Sequence, residues 1–121
     1  MYVRRAVIKL GRGDLADAAE LVTAELVANA VRATQETRRA AGRADAGNVG
    51  WIVAVGVYEV RGGVVVEVWD RCRMPPRLIE PDEDEESGRG LVLVEALSAD
   101  WGYRRPASGG KVVYATIEAG L

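Results

Sequence analysis

From Asp14 to about Ala41 the apolar residues recur at helical spacing. At about 100° per residue, Leu15, Ala19, Val22, Leu26 and Ala30 gather into one stripe. Asp14 is the expected N-cap, and neither Gly nor Pro interrupts the segment before Gly42. Glu25 and Asn29 fall one turn apart on the margin of that stripe. Gly42 to Gly50, rich in Ala, Gly, Asp and Asn, has no periodicity and is expected to be a mobile loop. Two β-rich runs follow, Trp51 to Val60 and Val64 to Asp70, joined by Arg61-Gly62-Gly63 as an antiparallel hairpin. Alternation in the second run puts Val64, Val66, Val68 and Asp70 on one face and Val65, Glu67 and Trp69 on the other. Asp70 is therefore expected on the core side, at the end of its strand.

Beyond Arg71 the pattern breaks. Pro75, Pro76 and Pro81 and the acidic run Asp82 to Glu86 exclude a central strand and disfavour a helix. Ser87-Gly88-Arg89-Gly90 then leads into Leu91, Val94 and Leu97, a short helix ending near Asp100. Trp101 to Arg105 and Val112 to Glu118 supply two more strands around a turn at Ala107 to Gly110. The order helix, hairpin, loop, helix, hairpin predicts an α+β fold, a two-layer sandwich with helices on one face of a mixed or antiparallel sheet.

A chain of 121 residues is expected to form one domain spanning residues 1–121. The hydrophobic fraction of 49% supports a packed core, and no apolar run reaches the roughly 18 residues of a membrane span. The start MYVRRAVIKL lacks the features of a secretory signal. A soluble, cytoplasmic protein is the expectation. The chain has no histidine and one cysteine, Cys72. That composition disfavours zinc and leaves any proton transfer to a carboxylate, Lys or Tyr. A formal net charge of -2 with scattered arginines gives no footprint for direct nucleic-acid binding. The local Arg38, Arg39 and Arg43 group reads as a solvated loop.

The polar residues inside or beside apolar segments change the picture most: Glu25, Asn29, Asp70 and Ser87-Gly88-Arg89-Gly90. Burying such groups without partners costs on the order of several kcal/mol, which points to a ligand. Each also has an ordinary explanation. A Glu in the first half of a helix is favoured by the helix dipole, an Asn is tolerated at a boundary, and a strand-ending Asp starts turns. A Gly-x-Gly followed by a helix is commonly only a turn and a cap.

In their order and spacing, these residues resemble the Bergerat-fold ATP-binding domains of the GHKL superfamily, the serine-kinase anti-sigma factors being the branch most alike. The resemblance covers about residues 14 to 118. Glu25-Leu26-Val27-Ala28-Asn29-Ala30 matches the family's N box. By resemblance Asn29 holds Mg²⁺, a hard ion suited to an amide oxygen, and Glu25 is the base for a hydroxyl attacking in phosphoryl transfer. Asp70 matches the aspartate that accepts the adenine amine. Ser87-Gly88-Arg89-Gly90-Leu91 matches the second glycine-rich box, whose amides approach the phosphates at a helix N-terminus. Cys72 to Glu86 corresponds to a lid over ATP. The acidic run reads either as a solvated outer lid or as a partner for Arg71, Arg73 and Arg77.

Four departures from the family stand out. Arg71-Cys72-Arg73-Met74-Pro75-Pro76 follows Asp70, where the family often places glycines. Lys111-Val112 replaces final-strand threonines near the adenine, and Ala33-Thr34 lies where relatives carry a histidine. Only about ten residues precede Gly11, where relatives have a strand and a full helix. An uncovered sheet edge is the expected result, covered by a partner or by a second copy in a homodimer. The resemblance implies an ATP- and Mg²⁺-dependent serine/threonine protein kinase that phosphorylates an anti-sigma antagonist, sequesters a sigma factor, or does both. The alternative is a nucleotide-sensing module that switches protein partners without catalysis.

Overall fold

The computed structural model describes residues 2–41, 52–76 and 90–120. Helix α1 spans Tyr2–Lys9, and a single 3-10 turn at Gly13–Leu15 leads into α2, Ala16–Ala41. The antiparallel hairpin of β1, Ala54–Val60, and β2, Gly63–Asp70, follows. Helix α3, Gly90–Leu97, precedes β3, Asp100–Arg104, and β4, Lys111–Glu118. The strands form one open, four-stranded sheet in the order β1-β2-β4-β3. Every pairing is antiparallel. The expected α+β architecture is the one observed, and the choice between a mixed and an antiparallel sheet resolves to antiparallel.

The helical stripe is the core face of α2. Ala19 and Val22 are fully buried, and Leu15, Leu26 and Ala30 nearly so. They meet Val64, Val66 and Val68 of β2 and Val113, Ala115 and Ile117 of β4 in one hydrophobic cluster. Each fully buried Val or Leu contributes about 1.5–3 kcal/mol relative to an exposed one, so the layer contact dominates the fold. Val3 and Val7 of α1 join the same cluster. Arg4 on the outer side of α1 pairs with Asp17 and Glu20 of α2. Thr23, buried in the middle of α2, donates its hydroxyl to the Ala19 carbonyl at 2.6 Å, which removes the cost of burying it.

Several boundaries differ from expectation. Asp14 does not cap α2. It lies inside the 3-10 turn, and both its carboxylate oxygens accept from the Arg12 guanidinium at 3.2 Å. Leu15 N–H donates to the Arg12 carbonyl instead, so the entry turn is closed by backbone. β1 begins at Ala54, leaving Ile52 and Val53 outside the strand. The first hairpin turn is tighter than Arg61-Gly62-Gly63, because Gly63 pairs with Val60 across the ladder. Gly63 also touches its other neighbour closely, since a Cβ there would stand 2.1 Å from the Ile117 carbonyl oxygen. Arg38 and Arg39 lie in the last turn of α2 rather than in a loop. There they complement the helix C-terminus.

Several expected features lie outside the described residues: the loop from Gly42 to Gly50, Trp51, the lid from Arg77 to Glu86 with its acidic run, and Ser87, Gly88 and Arg89. Among the described residues no helix is long and apolar enough to cross a membrane.

Candidate functional site

Two ends of a site can be traced on the helical side of the sheet. The first lies where α2 packs on α3. Glu25 and Asn29 are half-buried on the α2 margin, and Gly90, the first residue of α3, is buried beside them. A Cβ added to Gly90 would lie 2.8 Å from Glu25 Oε2 and 3.7 Å from Glu25 Cβ. The Glu25 carboxylate thus sits against the start of α3, which the absence of a side chain at Gly90 permits. Leu91, next in the chain, is buried in the core cluster and fixes the helix start there. N-terminal amides of a helix carry partial positive charge, which favours a carboxylate such as Glu25 at the start of α3. Among the described residues no group of three or more His, Cys, Asp or Glu converges on a metal position. An Mg²⁺ site here would use the Asn29 amide with waters and phosphate oxygens.

The second end lies at the C-terminal end of β2. Asp70 faces the core, as the alternation requires, and is fully buried. Its Oδ1 accepts the Cys72 N–H at 2.8 Å, a turn of the kind that a strand-ending Asp makes. Opposite it in the β2–β4 ladder stands Lys111, only 1% exposed. Lys111 Nζ donates to Asp70 Oδ1 at 3.0 Å and to Oδ2 at 2.9 Å, with a longer third contact of 3.4 Å to the Cys72 carbonyl. The ammonium and carboxylate therefore satisfy one another inside the protein.

The surrounding loops hold this pair in place. Gly110, immediately before Lys111, has φ 71°, and a Cβ there would stand 2.3 Å from the Asp70 carbonyl oxygen and 2.7 Å from the Trp69 indole. Trp69 Nε1 donates to the Gly109 carbonyl at 3.0 Å. Arg73 donates to the carbonyls of Pro106 and Gly110 at 3.0 and 3.3 Å. Arg105 Nε donates back to the Arg73 carbonyl at 2.8 Å. Four hydrogen bonds thus strap the β3–β4 turn to the end of β2 and the residues after it.

The two ends answer differently to a nucleotide. At the α3 end, the space that a side chain on Gly90 would need is taken by the Glu25 carboxylate, and Asn29, which the resemblance assigns to Mg²⁺, lies one turn further along α2. At the base end the residues do not fit as they stand, because the acceptor expected to read an adenine amine is buried and already bound to an internal amine. The alternation in β2 predicts the burial of Asp70, whereas its pairing with Lys111 depends on the β2–β4 register. The signal was present in β4, where Lys111, Val113, Ala115 and Ile117 alternate onto the core face.

Comparison with curated proteins gives no match, nor does comparison with solved structures. A family comparison does. The helices on one face of an open antiparallel sheet, with Glu25 of α2 seated against Gly90 of α3, accord with a match over residues 4–117 to the histidine kinase-like ATPase domain, and the chain belongs to that family.

Proposed function

We propose that the chain is an ATP-binding regulatory protein of the anti-sigma factor serine/threonine kinase type. On this reading it phosphorylates an anti-sigma antagonist, sequesters a sigma factor, or does both. Membership of the histidine kinase-like ATPase family supports ATP as the ligand. The observation that carries the kinase reading is the seating of Glu25 Oε2 against Gly90 at the start of α3. A carboxylate at that position can accept the proton of an acceptor serine or threonine as its oxygen attacks phosphorus. Asn29, one turn further along α2, is the residue that would hold Mg²⁺, which supplies charge neutralisation when bound. Ser87, Gly88, Arg89, Gly90 and Leu91 are the segment that would line the phosphates.

Transfer from γ-labelled ATP to a purified antagonist tests this reading. The Glu25→Gln variant should bind Mg-ADP as the wild type does and lose transfer. Transfer at the wild-type rate in that variant would remove Glu25 from the chemistry.

A second reading, a nucleotide-sensing module that switches protein partners without catalysis, is favoured by the Asp70–Lys111 pair. A regulator whose base acceptor is held by its own lysine is suited to report nucleotide level rather than to turn it over. Transfer absent under conditions where Mg-ADP binds and alters partner affinity selects this reading over the first.

A further inference from the structure

We propose that Lys111 is an internal competitor for the base acceptor: its ammonium occupies the Asp70 carboxylate in place of an adenine amine, and base recognition requires the pair to open. The inference rests on the ATP-binding reading and goes beyond it, since it assigns this chain a latch on its own site.

Donor and acceptor accounting carries the argument. Lys111 has three N–H donors, and three oxygens face them, Asp70 Oδ1, Asp70 Oδ2 and the Cys72 carbonyl. Asp70 Oδ1 also accepts from Cys72 N–H. No donor of the ammonium remains directed outward, and the carboxylate is 0% exposed. An incoming amine must displace the lysine. The strap from Trp69, Arg73 and Arg105 to the β3–β4 turn fixes the lysine's backbone over the acid, so displacement means lifting that turn or swinging the side chain out.

The cost appears as weakened binding. A ligand that binds only an open form populated at about 1–10% has an apparent affinity reduced about 10- to 100-fold. With the latch closed the base is unread. Nucleotides are then distinguished only by their phosphates, and adenine and guanine forms bind alike. With the latch removed, Asp70 accepts the adenine amine and repels the guanine carbonyl oxygen.

Calorimetric titration of the wild type and Lys111→Thr with Mg-ADP and Mg-GDP tests the proposal. Wild type should bind the two nucleotides within about threefold of each other. Lys111→Thr should bind Mg-ADP at least tenfold more tightly, with Mg-GDP unchanged. A wild type that already prefers Mg-ADP tenfold overturns the latch and leaves the ATP-binding reading standing. Absence of binding to both proteins overturns both. An Mg-ADP affinity unchanged by the substitution also overturns the latch.

Lys111→Thr leaves a buried acid without its partner and is checked for folding by circular dichroism. A second measurement uses the wild type alone. The chain has two lysines, Lys9 and Lys111, and Lys9 is exposed, so ammonium-detected NMR on ¹⁵N-lysine protein reads Lys111 directly. In wild type, free or saturated with Mg-ADP, the Lys111 ammonium should exchange slowly, because the closed pair leaves the base unread, while Lys9 exchanges fast. A Lys111 ammonium that exchanges as fast as Lys9, or that Mg-ADP erases in a wild type binding Mg-ADP and Mg-GDP alike, overturns the proposal.

Discussion

Removing the charge of Lys111 should be among the most damaging single changes available in this protein. In Lys111→Met the side chain keeps its length and most of its volume but leaves the Asp70 carboxylate, 0% exposed, with the Cys72 N–H as its remaining partner. It loses two charge-assisted bonds, at 2.9 and 3.0 Å. Orphaning one member of a buried pair costs about 3–5 kcal/mol, roughly a fifth or more of a total stability near 5–15 kcal/mol. The change also creates a means of rescue. Asp70→Asn added to Lys111→Met removes the orphaned charge, while its amide oxygen can still accept from Cys72 N–H. The double variant should therefore be more stable than Lys111→Met alone, by about 2 kcal/mol or more. Urea unfolding followed by circular dichroism, on wild type, both single variants and the double, gives the cycle. A Lys111→Met variant within about 1 kcal/mol of wild type would mean that the pair is solvated like a surface bridge. A double variant less stable than that single would remove the orphan-charge argument.

The remaining predictions test the frame around the pair. Gly110→Ala should cost about 3 kcal/mol or more, because φ is 71° and the new Cβ meets the Asp70 carbonyl and the Trp69 indole. Gly109→Ala, with φ 111° but open space around the Cβ position, should cost only the backbone strain of about 1–2 kcal/mol. Equal urea midpoints for the two would refute the steric part. Hydrogen bonding from Arg12 holds the Asp14 carboxyl below the usual carboxylate range. Its contribution is accordingly present above the unfolded carboxylate value and lost as pH falls through the lower folded one. An NMR titration of the Asp14 side chain should show a depressed midpoint that returns to the ordinary range in Arg12→Gln, and a midpoint indifferent to that change would exclude the Arg12 contact.

The elements were legible where burial enforces a period. Leu15, Ala19, Val22, Leu26 and Ala30 read as a stripe because α2 lies along a sheet, and Val64, Val66 and Val68 alternated because β2 has one face under that helix. The same rule put Asp70 inside. What failed was chemistry decided by a neighbour. Asp14 has the composition of an N-cap, but Arg12 two residues earlier takes its carboxylate and the helix starts after it. Lys111 follows two glycines, where an exposed turn residue is the ordinary expectation. Its partner is 41 positions away, and only the β2–β4 register sets the two opposite each other. Glu25 and Gly90 were each singled out, yet their proximity depends on how α3 crosses α2, which no local pattern encodes.

The two ends of the site are built on different structural supports, and this makes their fates separable. Glu25, Asn29 and Gly90 are positioned by helix-on-helix packing, through Leu26 and Leu91 in the shared core. Asp70 and Lys111 are positioned by a strand ladder and the strap of the β3–β4 turn. Position 111 lies on β4, in neither α2 nor α3, so a change there acts on the base end directly and on the helix pair only through the core. On the proposed reading, one residue in β4 would then tune how strongly a base contributes to binding, while the Glu25 carboxylate at the start of α3 would keep its place. On this division the choice between a kinase and a nucleotide-sensing switch depends on whether the proton acceptor and the base acceptor are available together. Among the described residues, the second is withheld by the Lys111 contact.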